Sequence, residues 1–173
     1  SGIIIISDAL DRAIQKFIPA PDYIIDLNSL LRPESMLGFV LLFTAVAIIA
    51  PLGEELLFRG FFQQFLEFYW KDVTKAVLFT SLFFAIIHMN PFWFIQIYIL
   101  GILLGYLAWK TNSIFPSLIL HSLNNTIAII ISYGGLDKSS FYIKGGHVNP
   151  LILIIAFLLI YVSFNKIKEY QPN

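Results

Sequence analysis

Residues 36–70 read MLGFVLLFTAVAIIAPLGEELLFRGFFQQFLEFYW, and the change of character half-way along this stretch decides the fold. From Met36 to Gly53 there is no charged residue. That is close to the ~20 apolar residues a helix needs to cross hydrocarbon. Pro51 and Gly53 punctuate its end, because proline lacks the N–H that a helix interior requires. Residues 54–70 then set Glu54, Glu55, Arg59, Gln63, Gln64 and Glu67 among aromatic and aliphatic side chains. An ionisable group inside a bilayer costs about 2.5–3.5 kcal/mol on insertion scales, so such a helix cannot face lipid all round. Its polar side must turn toward other helices. The stretch therefore predicts two crossing helices, 36–53 and 54–70, packed within a larger bundle.

The rest of the chain supplies that bundle. Residues 35–53, 76–109, 111–136 and 145–165 contain no Asp, Glu, Lys or Arg. Asn90-Pro91 divides the longest of these into 76–89 and 92–109, since proline also disfavours helix in the residue before it. Further spans follow at 113–133 and 149–165, separated by the loop 134–148, which is rich in glycine and charge. Trp70, Trp93 and Trp109 fall beside proposed helix ends, where indole rings prefer the interface. Gly101 and Gly105 form a G-x-x-x-G pair, which reads as a packing groove between neighbouring helices in preference to a dimer seam. Near the start, Ile3, Ile6, Leu10, Ile14, Phe17 and Ile18 recur at helical spacing opposite Asp8, Asp11, Arg12 and Lys16. This is the pattern of an amphipathic helix lying on a membrane surface, and Pro19, Pro21 and Pro33 break the chain after it. The fold class is an all-α membrane protein, a polytopic helical bundle of about six transmembrane helices plus an N-terminal amphipathic helix. Residues 1–35 form the juxtamembrane segment, 36–165 the core and 166–173 the tail.

Composition agrees, with 58% hydrophobic and 13% charged residues in a chain of 173. Eleven basic residues balance eleven acidic ones, which argues against a nucleic-acid partner and leaves membrane lipid as the surrounding one. There is no cysteine, so disulfides, thiolate metal sites and a cysteine nucleophile are excluded. If 36–53 and 54–70 cross as a pair, Arg12, Lys16, Arg32, Lys71, Lys75, Lys110, Lys166 and Lys168 share one side, against Lys138 and Lys144 on the other. The basic side is then expected in the cytoplasm. The brevity of the chain suggests a multi-pass protein of a prokaryotic cell membrane, and nothing in the sequence sets an oligomeric state.

Polar residues within the spans are few, and their spacing is regular. Glu55 and Arg59, Phe84 and His88, and His121 and Asn125 each stand at i and i+4, on one face of a helix. At 1.5 Å per residue, Glu54 lies about 26 Å from Lys71, His88 about 20 Å from Lys75, and His121 and Asn125 about 16 and 22 Å from Lys110. A carboxylate, two imidazoles and an amide thus reach one level of the bilayer. A glutamate beside a histidine can activate water as a general base, and a second histidine with an asparagine can donate to the oxyanion formed when water attacks an amide carbonyl. Glu55 and Arg59 suit a supporting ion pair as well as a chemical role. Neither H-E-x-x-H nor G-x-S-x-G is present. The Glu and His side chains could nonetheless ligate zinc, so a zinc-dependent membrane protease stays open beside a metal-independent one. Intramembrane Glu and His also serve proton relays in transporters, and the same polar groups could act as hydrogen-bonding glue in a non-catalytic membrane scaffold.

E-E-x-x-x-R (Glu54, Glu55, Arg59), F-x-x-x-H (Phe84, His88) and H-x-x-x-N (His121, Asn125) resemble, in order, the three motifs of the CPBP or Abi family of intramembrane proteases. That family includes the type II CAAX prenyl endopeptidases and bacteriocin-processing or self-immunity proteins. The resemblance covers about residues 45–130. It implies a glutamate-dependent endopeptidase in which Glu54 activates water with His88; the donors Glu54, His88, His121 and Asn125 are themselves enough for hydrolysis, so no cofactor is expected. His121 and Asn125 would hold the oxyanion, and Glu55 with Arg59 would support the site. The substrate expected from it is a peptide or a lipidated or membrane protein. The eukaryotic members have about eight spans, against the six expected here.

Overall fold

The computed structural model describes residues 2–17, 33–133 and 141–169. The connection carrying Pro19 and Pro21, residues 134–140 of the glycine-rich loop and the end of the tail lie outside the described residues. The described chain is helical apart from one small hairpin. Helix α1 is Gly2–Gln15, α2 Met36–Trp70, α3 Val73–Ile87, α4 Phe94–Thr111, α5 Phe115–Tyr133 and α6 Pro150–Glu169. Strands β1, Ile143–Lys144, and β2, His147–Val148, pair antiparallel across Gly145 and Gly146. Those two glycines take φ of +62° and +77°, as a tight hairpin turn demands.

Four helices, α2, α4, α5 and α6, are long and apolar enough to cross a membrane, and α3 is a shorter apolar helix. Large apolar side chains such as Phe61, Phe68, Leu151, Phe157 and Leu158 are exposed on them. A helix apolar on its outer face needs lipid there, and the chain is an integral membrane protein. The fold class holds, but the expected pair 36–53 and 54–70 does not exist. The two segments form one continuous helix of 35 residues, about 52 Å long at 1.5 Å per residue.

Proline does not break this helix, because its missing hydrogen bond is replaced from another helix. Residues 45–49 wind as a π-helix, and Ala50 donates its N–H to Ala45 O, five residues back. In that register Pro51 would donate to Val46 O, and it has no N–H to give. The side chain of Asn125 on α5 fills the gap, Nδ2 donating to Val46 O at 2.9 Å. A second π segment, Leu56–Phe62, follows directly after the α-helical turns that carry Glu54 and Glu55. Widened turns of this kind re-aim side chains and recur at functional sites.

Merging the two segments also moves the N-terminus to the other face. Lys16 Nζ donates to His147 Nε2 at 2.6 Å, which places the end of α1 beside Lys144 and the β-hairpin. The charge asymmetry of eight against two behind the cytoplasmic assignment is therefore lost. Nor does α1 lie flat on a surface. It runs against α6, so closely that a methyl group on Gly2 would come within 2.5 Å of Ala156 O. Its Asp8 and Arg12 turn inward, joined by an ion pair of 2.9 Å. Tyr142 is buried nearby, and burial first, then Asp8, pushes its phenol above the usual range.

The hairpin of α3 and α4 forms as expected. Asp72 caps α3 by accepting the Lys75 N–H at 3.0 Å, which holds its carboxyl below the ordinary value. At the tip Met89 is left-handed, with φ of 48°, and Asn90 Oδ1 accepts the N–H of Phe92 and of Trp93. Gly101 and Gly105 form the packing groove. A Cβ at Gly101 would stand 3.0 Å from Ser81 Cβ on α3, and one at Gly105 would meet Gln63 Oε1 of α2 at 2.7 Å.

With one crossing by α2, cysteines introduced at Glu34 and Phe141 should react with an impermeant maleimide from one side of the membrane, and a cysteine at Thr74 from the other. The native chain has no cysteine to interfere. Labelling of Glu34 and Thr74 sites from the same side would restore the two-helix hairpin and remove the single long helix.

Candidate active site

Three helices meet around the two glutamates of α2. Glu55 is fully buried, and its Oε1 accepts from two donors, Arg59 Nη1 at 2.8 Å and His121 Nδ1 at 2.9 Å. Arg59 is also buried and passes a second hydrogen bond, from Nη2, to Gly101 O at 3.0 Å. Its guanidinium carbon lies 4.4 Å from the centre of the Phe84 ring, a cation–π contact. One turn further along α2, Gln63 Nε2 donates to Gly105 O at 3.0 Å and to Glu67 Oε1 at 2.8 Å. Glu55 and Arg59 thus tie α2 to α4 and α5 at one point.

Glu54 points elsewhere. Its Oε2 is buried without a hydrogen-bond partner among the described residues. His121 Nε2 lies 3.7 Å from it and His88 Nε2 4.0 Å. The tautomers follow from the opposite nitrogens. His88 Nδ1 is 2.6 Å from Phe84 O, and a carbonyl can only accept, so Nδ1 carries the hydrogen. His121 Nδ1 likewise donates to the Glu55 carboxylate. Both Nε2 atoms are therefore the open nitrogens, and both face the same carboxylate oxygen. Phe84 sets the two rings, lying edge-on to His88 at 4.8 Å and to His121 at 5.6 Å between centroids.

Glu54, His88, His121 and Asn125 line one cavity of about 670 Å³. Other residues in its wall were not anticipated: Ser7, Asp8 and Arg12 of α1, Trp93 just before α4, Gln96 of α4, and Asn124 of α5. Gln96 carried a signal in the sequence, as a carboxamide within an uncharged span. The contribution of α1 carried none, because amphipathicity alone does not say what a polar face meets. Asn125 sits one turn beyond His121, with one amide hydrogen committed to Val46 O. An amide nitrogen has two hydrogens, so that bond fixes the group's direction and leaves the second donor. His147 stands apart, exposed and paired with Lys16, and Glu67 accepts from Gln63.

Among the described residues no three His, Asp or Glu side chains are grouped as a metal site. An open carboxylate facing two open imidazole nitrogens in a largely apolar cavity is an arrangement for moving protons to and from a small polar molecule held between them. No curated protein and no solved structure matches the chain. A family model described as type II CAAX prenyl endopeptidase Rce1-like does match, over residues 36–127, the segment that carries every motif side chain of the cavity. Those residues are more than half of the chain, and it belongs to the type II CAAX prenyl endopeptidase Rce1-like family, a family of intramembrane peptidases.

Proposed function

We propose that the chain hydrolyses a peptide bond of a membrane-associated peptide or protein with Glu54 as general base and no metal ion. The observation that carries this reading is the convergence of His88 Nε2 and His121 Nε2, at 4.0 and 3.7 Å, on Glu54 Oε2, which has no hydrogen-bond partner among the described residues. A water held there gives a proton to Glu54 while its oxygen adds to the carbonyl carbon. His88 orients that water. The oxyanion accepts from Nε2 of His121, in its doubly protonated form, and from the second amide hydrogen of Asn125. The C–N bond then breaks, and the proton held by Glu54 passes to the departing amine. Glu55 and Arg59 act one step back by fixing the His121 ring through Nδ1.

The family description makes a CAAX-type substrate the first to test, that is, a C-terminal tetrapeptide whose cysteine is prenylated. The cavity suits it, being open to an extended peptide and surrounded by apolar helices along which a lipid tail can lie. Metal independence rests on the donor set. Each imidazole has one nitrogen committed inside the protein, and the carboxylate and two remaining nitrogens suffice for proton transfer without a Lewis acid.

Cleavage of a quenched fluorogenic peptide carrying farnesyl-Cys and three further residues should therefore persist at full rate after treatment with a strong zinc chelator. One zinc per chain by elemental analysis, lost together with activity and restored by zinc alone, would convert His88 and His121 into ligands and overturn the metal-free mechanism.

A further inference from the structure

The reading of the site leaves one polar atom of the cavity wall without a task. Nε2 of Gln96 is buried and has no hydrogen-bond partner among the described residues. Of the buried side-chain atoms without a partner, it and Glu54 Oε2 belong to residues that line the large cavity, one a donor and the other an acceptor.

Register sets the two at a common height. Helices α2 and α4 run parallel where they touch, and their two cross-links, Arg59 to Gly101 O and Gln63 to Gly105 O, share a separation of 42 residues. The same offset carries Glu54 onto Gln96. A donor on α4 thus stands within about a turn of the level of the general base on α2, with the cavity between. The donors assigned to the oxyanion, His121 and Asn125, come from α5. In an extended peptide successive carbonyls point to opposite sides of the chain. A substrate that turns its scissile carbonyl toward α5 therefore turns the neighbouring carbonyl away from it, toward a wall that needs a donor of its own.

We propose that Gln96 binds the substrate main chain, its Nε2 donating to the carbonyl next to the scissile bond. The assignment rests on the peptidase reading and deepens it. It names the ligand chemistry as an extended peptide backbone, which is read without regard to side chains. An amide suits the task because it is neutral. A lysine or arginine at this height would pair with Glu54 and hold it away from water.

The test pairs the protein with its substrate chemically. Wild type and Gln96→Leu are compared on the farnesylated fluorogenic peptide and on versions in which one amide flanking the scissile bond is a thioamide, whose sulfur accepts hydrogen bonds poorly. Gln96→Leu should lose about tenfold in kcat/KM, the worth of one hydrogen bond, mostly through KM. The thioamide penalty at one flanking position in wild type should vanish in the variant, which is the non-additivity of a direct contact. A structural role would lower activity but leave the thioamide penalty unchanged, and that result overturns the proposal, as does a loss below twofold. If Gln96→Leu is not monodisperse, Gln96→Glu keeps the shape while replacing donor by acceptor, and the same comparison applies.

A measurement without turnover separates this proposal from the peptidase reading. Peptide affinity is determined in the Glu54→Gln protein with and without Gln96→Leu. A weakening of about tenfold supports Gln96 even if wild type fails to cleave, and equal affinities overturn it whether or not wild type cleaves. Absence of binding in both proteins overturns it as well.

Discussion

Glu54→Gln will reduce peptide hydrolysis by about 10²–10⁴-fold, the usual contribution of a general base, while the protein remains folded and monodisperse. The substitution keeps the shape of the side chain while removing its charge and its ability to take a proton. Folding should be spared because Glu54 Oε2 forms no hydrogen bond with the described residues. The two Nε2 atoms of His121 and His88 stand 3.7 and 4.0 Å from it, beyond hydrogen-bond distance. The control is the adjacent carboxylate. Glu55→Gln breaks the contacts to Arg59 and His121, so it should lower thermal stability together with rate. The two variants therefore separate on a plot of melting temperature against turnover. Near-normal turnover in Glu54→Gln would falsify the assignment of the base. Total loss at Glu55 with unchanged stability would instead exchange the roles of the two glutamates.

Arg59→Met should be the most destabilising substitution at the site, by about 3–5 kcal/mol, the cost of leaving a buried charge without its partner. Glu55 is wholly enclosed, and Arg59 supplies one of its two hydrogen-bond donors. The same change removes the bond to Gly101 O and the contact with Phe84, so α2 loses one of its two hydrogen-bonded ties to α4 and its contact with the ring that orients both histidines. Denaturant titration in mixed micelles measures the loss. Combining Arg59→Met with Glu55→Gln should recover part of it, because the stranded charge is then gone. A single variant within about 1 kcal/mol of wild type would mean that the pair is solvated and contributes as little as an exposed ion pair does.

Much of this protein was legible before any coordinates. The apolar runs at 94–111, 115–133 and 150–167 declare themselves through composition, because burial in lipid makes the same demand on every residue of a span. The hairpin break at Asn90-Pro91 was legible for a covalent reason, the missing N–H of proline and its clash with the preceding residue. The motif residues stood out because a charge or an imidazole in hydrocarbon is costly and must have a partner. Spacing at i and i+4 then placed Glu55 with Arg59 on one helix face, where an ion pair of 2.8 Å joins them.

Tertiary structure decided what no local rule contains. Pro51 reads as a helix end, yet α2 continues through it because Asn125, seventy-nine residues beyond Val46, donates to the Val46 carbonyl that proline leaves open. That single compensation turns two expected spans into one and reverses the face on which the N-terminus lies. The polar side of α1 meets the cavity instead of a headgroup layer, since amphipathicity gives the direction of a face but not the identity of its neighbour. The i, i+4 spacing pairs Glu55 with Arg59, but what each of the two carboxylates meets on the other helices is not contained in the local sequence. It emerges only when α5 brings His121 Nδ1 to one carboxylate and Nε2 toward the other, so that packing between distant helices makes one glutamate a brace and leaves the other facing the cavity.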